Sequence, residues 1–381
     1  MMRLDVSRIT CVADSRLAPR IEAEADRMGL LETYSERGKQ AAHKSRPGFL
    51  LFRRRPALIE APSNFIRLYV PRRHERVVLA RLAAAADLFL PGRGSLFAED
   101  VTLVGKSFNL WNEERLSADV PAWIDDARLT PAPHDLIFCI VPRGQGEELA
   151  HTMLDMGLGV PMVSYGEGMG LRGRLGLLRI TIPREKEILW FLIPPGDADF
   201  VVDLAARKAG LREPGRGFLY RIPVRALAVN TRMVLSRRKH VASMEQVIST
   251  LDQLRGSADW RRISATARPL RGPSHPVPGN FRRFTLVCEE GTAQAPVRAA
   301  MNIGAGGATL SRLSRRAPDP HNGDEEFAMM SHARESCDLI VQRSLANPLE
   351  QAITDSGFFE PPINGFIEIG PVHDAITYRR E

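Results

Sequence analysis

The sequence predicts an α+β chain built from three tandem βαββαβ units. Two observations carry this. One order of short apolar strands, amphipathic helices and glycine stops runs three times through the 381 residues. The turn that closes the unit, Pro91-Gly92-Arg93-Gly94, returns as Pro214-Gly215-Arg216-Gly217, again between a helix and an apolar strand. The composition agrees: 44% hydrophobic and 25% charged residues belong to an ordinary globular chain, which excludes disordered and collagen-like classes.

Each unit opens on an apolar strand, at 9–13, 136–141 and 284–288. An amphipathic helix follows, at about 17–28, 147–156 and 295–301, and stops at Gly29, Gly157 and Gly304, the residue type that accepts a left-handed C-terminal cap. A second strand leads into a polar, glycine- or arginine-rich loop. The third strand returns at 65–70, 187–193 and 337–341, and a second helix follows at 73–85, 199–209 and 348–356. The tight turn and a fourth strand end the unit. In the last copy the turn is altered to Pro361-Pro362-Ile363-Asn364-Gly365.

Strand–helix–strand–strand–helix–strand is the ferredoxin-like split unit, a four-stranded antiparallel sheet with two helices on one face. The other face is expected to be apolar and needs a cover. Three copies packed around one axis supply it, so the expected architecture is a single-chain pseudo-trimer that remains a monomer. The units are placed at 1–104, 134–225 and 282–381. The first linker, 105–133, holds Trp111 and Trp123 and reads as an ordered crossover. The second, 226–281, carries an amphipathic helix at 243–254, with Met244, Val247, Ile248, Leu251 and Leu254 on one face and Ser243 and Gln246 placed for a capping box. That stripe packs on its own domain or docks a partner. A proline-stiffened stretch follows at 269–279.

Lys+Arg 52 against Asp+Glu 45 leaves a net charge of +7, which permits an anionic partner without requiring nucleic acid. No apolar run reaches the roughly 20 residues that span a bilayer, and the N-terminus lacks a signal-peptide core, so a cytoplasmic protein is expected. Cys11, Cys139 and Cys288 fall in the first strands and read as buried thiols at equivalent positions. The nine histidines share no metal-ligand spacing, and no catalytic triad or carboxylate pair assembles from local spacing, so neither a metal centre nor an enzyme is expected.

Pro183-Arg184-Glu185-Lys186-Glu187 opening an apolar strand, Pro214-Gly215-Arg216-Gly217 before Phe218-Leu219-Tyr220, and Gly304-Ala305-Gly306-Gly307-Ala308-Thr309 together resemble the P-II signal-transduction family. Members of that family are trimers that bind adenine nucleotides in clefts between subunits. They signal energy, nitrogen or carbon state by moving a long loop onto an enzyme, transporter or regulator. The resemblance implies a regulatory protein with an ATP, ADP or AMP effector and a regulated protein partner, a membrane transporter among the candidates. It points to Gly92, Arg93, Gly94, Glu187, Gly215, Arg216, Gly217, Gly304, Gly307 and Thr309 as nucleotide contacts. It also points to Gly166, Glu167, Gly168, Arg172 and Arg174 as the partner loop.

The chain departs from the family where the closing lysine of the turn is replaced by Ser95 and Phe218, and the G-x-x-G-x-T pattern survives only in the third copy. Only a cleft joining the third copy to one with Pro-Gly-Arg-Gly combines both features, so fewer than three nucleotides per chain are expected, with one or none foremost. Two other readings stay open: a pseudo-trimeric interaction scaffold without ligand, and a metal-tolerance protein of the trimeric ferredoxin-like kind.

Overall fold

The computed structural model describes residues 1–43, 58–116, 129–169, 184–230, 280–318 and 329–377. The chain is mixed α/β with one large antiparallel sheet. The first segment comprises β1 (Met2–Asp14), α1 (Ala18–Arg27), β2 (Thr33–His43), β3 (Leu58–Val70), α2 (Glu75–Ala85) and β4 (Gly94–Gly105). A short helix, α3 (Glu113–Leu116), lies in the connection. The second comprises β5 (Ala132–Pro142), α4 (Gly146–Asp155), β6 (Met162–Met169), β7 (Glu185–Ile193), α5 (Pro195–Lys208) and β8 (Phe218–Ala228). The third comprises β9 (Phe281–Glu289), α6 (Gln294–Asn302), β10 (Ala308–Pro318), β11 (Met329–Gln342), α7 (Ala346–Asp355) and β12 (Phe366–Val372), and β13 (Asp374–Thr377) follows it.

Within each segment the first strand pairs with the third and the fourth, and the third pairs with the second. The orders are β4-β1-β3-β2, β8-β5-β7-β6 and β12-β9-β11-β10. This leaves two edge strands per segment, each with unpaired backbone groups that must find partners. They find them in one another. The second strands close a triangle: Gly38–Gln40 of β2 on Met162–Ser164 of β6, Glu167–Met169 of β6 on Ala308–Leu310 of β10, and Ser314–Arg316 of β10 on Thr33–Ser35 of β2. The fourth strands do the same. Leu96–Ala98 of β4 meet the end of β8, Phe218–Arg221 of β8 meet β13, and Ile367–Ile369 of β12 meet Thr102–Val104 of β4. In the first triangle the start of one strand meets the end of the next in cyclic order; in the second, β13, which follows β12, stands where the end of the third segment's fourth strand would.

The first helix of each segment ends the same way. Gly29, Gly157 and Gly304 take positive φ, and Leu30, Leu158 and Ala305 donate back to Ala25, Met153 and Ala300 at 3.0, 3.0 and 3.1 Å, the Schellman closure. The start of each first helix is tied to the third strand at one register position. Asn64 Oδ1 accepts from Ser15 Oγ, Glu187 Oε2 from Gly146 N, and Glu335 Oε1 from Ala293 N, at 2.8, 2.9 and 2.5 Å. A carboxylate there also meets the positive end of the helix dipole.

Strand alternation splits the core into four regions. One face of each sheet packs under its own helices: Ile9, Cys11 and Ala13 in the first segment, Ile137, Cys139 and Val141 in the second, Phe284, Leu286 and Cys288 in the third. Cys11 and Cys139 hold the same register position, but Cys288 lies two residues further along, where Leu286 takes the place of the other two. All four cysteines are buried, and burial pushes the thiols of Cys11 and Cys139 up to about 12.

The opposite faces meet in the middle, and here the expectation of a uniformly apolar face is corrected. The second segment does contribute Leu136, Phe138, Ile140, Trp190, Tyr220 and Ile222. At the positions of Leu136 the other two carry Arg8 and Arg283 instead. Arg8 binds Glu99 of its own segment (Nε to Oε1, 2.8 Å) and Glu368 of the third, Arg283 of the third binds Glu99 of the first, and Tyr69 donates to Glu368 at 2.5 Å. Two guanidiniums and two carboxylates, each at most 3% exposed, balance one another there. Arg67 pairs with Glu36 at 2.8 Å and lies over the Trp190 ring.

The connection 105–116 is ordered, with Trp111 against the first core and its backbone bridged to Leu30. Trp123, the expected helix at 243–254 with Ser243 and Gln246, and the stretch 269–279 lie outside the described residues. The third strands begin earlier than the apolar runs suggest, because their ladders with the second strands continue through polar positions. β13 has no counterpart in the expected unit; it crosses from the third segment to the second. No helix among the described residues is long and apolar enough to cross a membrane.

Burial pushes the Glu99 carboxyl up, but the adjoining Arg283 and Arg8 override this and hold it below its ordinary value of 4.5. Its contribution to stability is therefore present above pH 4.5 and is lost as the pH falls through the lowered folded value. Glu99→Gln, which strands Arg283 and leaves Arg8 with Glu368 alone, should cost about 3–5 kcal/mol at pH 7 in denaturant unfolding and less in acid. An equal loss at pH 7 and pH 3 would show that the charge is not what matters.

Candidate functional site: the seams between segments

The sequence places two glycine turns at the starts of β4 and β8, and the structure gives their first glycines the same conformation. Gly92 and Gly215 have φ of 78° and 79°, and Arg93 and Arg216 donate to Leu90 and Glu213 at 3.3 and 3.4 Å. The second glycine of each turn is fixed by close approach. A Cβ at Gly217, φ 120°, would stand 1.9 Å from the Ile140 carbonyl oxygen, and one at Gly94 would stand 2.2 Å from that of Val12. The third turn solves the same corner with Asn364 at φ 45°.

Each turn borders a seam where the chain end of the neighbouring segment arrives, and the three seams differ. At the first, Asn230, just beyond β8, is buried against the turn of the first segment. Gly92 N donates to Asn230 Oδ1 at 3.0 Å, Asn230 N donates to Ser95 Oγ at 2.9 Å, and Asn230 Nδ2 donates to Gln40 Oε1. Gln40 in turn donates to Ser63 Oγ at 3.1 Å.

At the seam between the third and first segments, the connection after β4 fills the space. Leu31 and Asn112 exchange backbone bonds with Leu110 and Gly29 at 2.9 and 2.7 Å, and Phe108 stands edge-on to Phe366 at 6.0 Å. Arg315 pairs with Glu32, Arg316 grips Asp26 with two bonds of 2.7 Å, and Lys106 pairs with Glu360.

The seam between the second and third segments carries the remaining features. On one side lie Gly215, Arg216 and Gly217, with Phe218 where the first segment has Ser95. Gly166 and Gly168 of β6 lie there too, with Gly168 at the position of Gln40. On the other side Gly304, Gly306 and Gly307 lead into β10, whose Thr309 is buried and pairs with Gly168. Gly166 runs so close that a Cβ would stand 2.7 Å from the Leu310 carbonyl oxygen. Arg216 is exposed and held by Glu213 at 2.9 Å. Among the described residues no side chain from the third segment enters this turn as Asn230 enters the first.

Several expected site residues find other work. Glu187 spends a carboxylate oxygen on the α4 N-terminus. Gly92 spends its N–H on Asn230, and Arg93 lies beside Asp14. Gly166, Glu167 and Gly168 belong to β6 and pair across the seam rather than forming a free loop, because the ladder to β7 and β10 continues through them. Arg172 and Arg174 lie outside the described residues. Asn230 and Gln40 were missed: a lone Asn after a strand carries no local signal, and its partners lie 138 and 190 positions away.

A groove of ≈ 610 Å³ between α1 and α2 lies apart from these turns. Arg81 and Arg27 both pair with Glu24 there, at 2.7 and 3.0 Å, and Arg20 pairs with Asp87 at 3.3 Å. The described residues contain no group of three His, Cys, Asp or Glu placed to hold a metal ion.

A comparison of the sequence with models of known protein families and with curated proteins finds no match.

Gly217→Ala should lower stability by about 1–3 kcal/mol, because the residue has both a positive φ and a carbonyl in its Cβ position. Thermal unfolding checks this; an unchanged midpoint would mean that the turn relaxes freely and does not set the seam.

Proposed function

We propose that the chain is a P-II-like regulator: three ferredoxin-like units joined as a single-chain pseudo-trimer, with an adenine nucleotide bound in the seam between the second and third units. The strand order, repeated three times with cyclic edge pairing, supports the architecture. The observation that carries the site is the inequality of the seams. Asn230 occupies one and the segment after β4 fills another, while among the described residues the third shows a glycine turn with an exposed arginine opposite a glycine-rich strand entry, with β13 pairing beside it. Glycine turns aim backbone N–H groups at anions, and Arg216 adds a planar donor for phosphate once it leaves Glu213.

The output is contact with a regulated protein in nitrogen or carbon metabolism, made by the segment between β6 and β7 that grows out of the same seam. A nucleotide that binds one arrangement of the seam more tightly would bias that segment. The closure of two seams by the chain itself favours the ligand-free scaffold as the second reading.

Calorimetric titration with ATP, ADP, AMP and cyclic AMP separates the two. One nucleotide per chain is expected, with Arg216→Ala weakening it about tenfold, the size of one charged hydrogen bond. Three equal sites, or one indifferent to Arg216→Ala, would contradict the assignment, and no binding at all selects the scaffold.

A further inference from the structure

The first seam holds a polar arrangement that the proposed effector does not use. Asn230 is 5% exposed, and its polar groups are spent on the first segment: Oδ1 on Gly92 N–H, Nδ2 on the Gln40 carbonyl, and the backbone N–H on Ser95 Oγ. The turn it enters has the backbone of the turn at Gly215. The surroundings differ, since Phe218 and Gly168 stand where Ser95 and Gln40 stand. The first turn is thus the more polar of the two, and among the described residues it is the one a side chain of the neighbouring segment enters.

An amide oxygen that accepts from a glycine N–H in such a turn takes the place an anion's oxygen would take. Around it are Gly92 N–H, the Ser95 hydroxyl, the Gln40 amide, which can present its NH₂ when turned over, and the half-buried Arg93 beside Asp14.

We propose that the Gly92–Ser95 turn is a second phosphate-binding site, masked by Asn230 acting as a built-in ligand. The inference rests on the reading of these turns as phosphate seats. It adds that the first seam is silenced by one side chain rather than by loss of the seat. A ligand phosphate and Asn230 cannot both accept from Gly92, so the site opens only when Asn230 is withdrawn.

The test counts ADP sites per chain by calorimetry in the native protein, Asn230→Ala and Asn230→Asp, with inorganic phosphate as a separate titrant. Removing the side chain should add one ADP site, taking the count from one to two. Asn230→Asp keeps an oxygen acceptor and a negative charge in the seat and should leave the count at one. If phosphate alone fills the new site, the seat recognises the anion itself; if only ADP does, it recognises the nucleotide. Asn230→Ser, too short to reach Gly92, carries the same readout should Asn230→Ala melt early. A native chain with no site and an Asn230→Ala chain with one would sustain this inference while refuting the open seam. An unchanged count in folded Asn230→Ala and Asn230→Ser overturns it.

Discussion

Backbone pairing at the sheet edges is the constraint on which the rest depends. A four-stranded sheet with helices on one face leaves two rows of unpaired N–H and C=O groups and one uncovered face. Three such sheets in one chain remove both problems together. The second strands pair in one triangle, the fourth strands together with β13 close another, and the closure turns the uncovered faces inward. β13 exists because of this closure. The end of the third segment must reach β8, and the crossover at His373 brings it there, with His373 N donating to the Arg221 carbonyl at 2.8 Å.

Covalent linkage lets the copies differ, and the differences are organised. A homotrimer repeats every axial residue three times, so one arginine on the inner face would bring three like charges together. Here Arg8 and Arg283 come from two segments, Glu99 and Glu368 answer them, and the second segment presents Leu136, Phe138 and Trp190. The ion pairs tie the first segment to the third, while the aromatic cluster joins the second to the first, with Phe65 packed 4.8 Å from the Trp190 ring. Such pairs add little net stability over an apolar core, but a wrong arrangement would bury an unmatched charge. The seams diverge in the same way, since each exit strand is followed by its own sequence.

Local chemistry was legible in the sequence. The glycines at 29, 157 and 304, the paired Pro-Gly-Arg-Gly turns and the apolar first strands fixed the order of elements, because each is a property of a few neighbouring residues. The axis was half legible. Arg8 and Arg283 lie just before the apolar runs that open at Ile9 and Phe284, where an apolar inner face was expected, and only the fold supplies Glu99 and Glu368 as their partners. The seams were least legible. Gln40, Ser95 and Asn230 are ordinary polar residues whose meeting depends on three-dimensional closure, and Gly166–Gly168 read as a loop because glycine in an edge strand resembles glycine in a turn.

The central claim is that one chain closes the ring that separate subunits would otherwise close. Light scattering coupled to size exclusion tests it most directly. The account predicts a single species near 42.3 kDa across a wide concentration range, because both edge strands of every segment are already paired within the chain. A stable species near three times that mass would contradict it, since the segments would then be seeking partners in other chains.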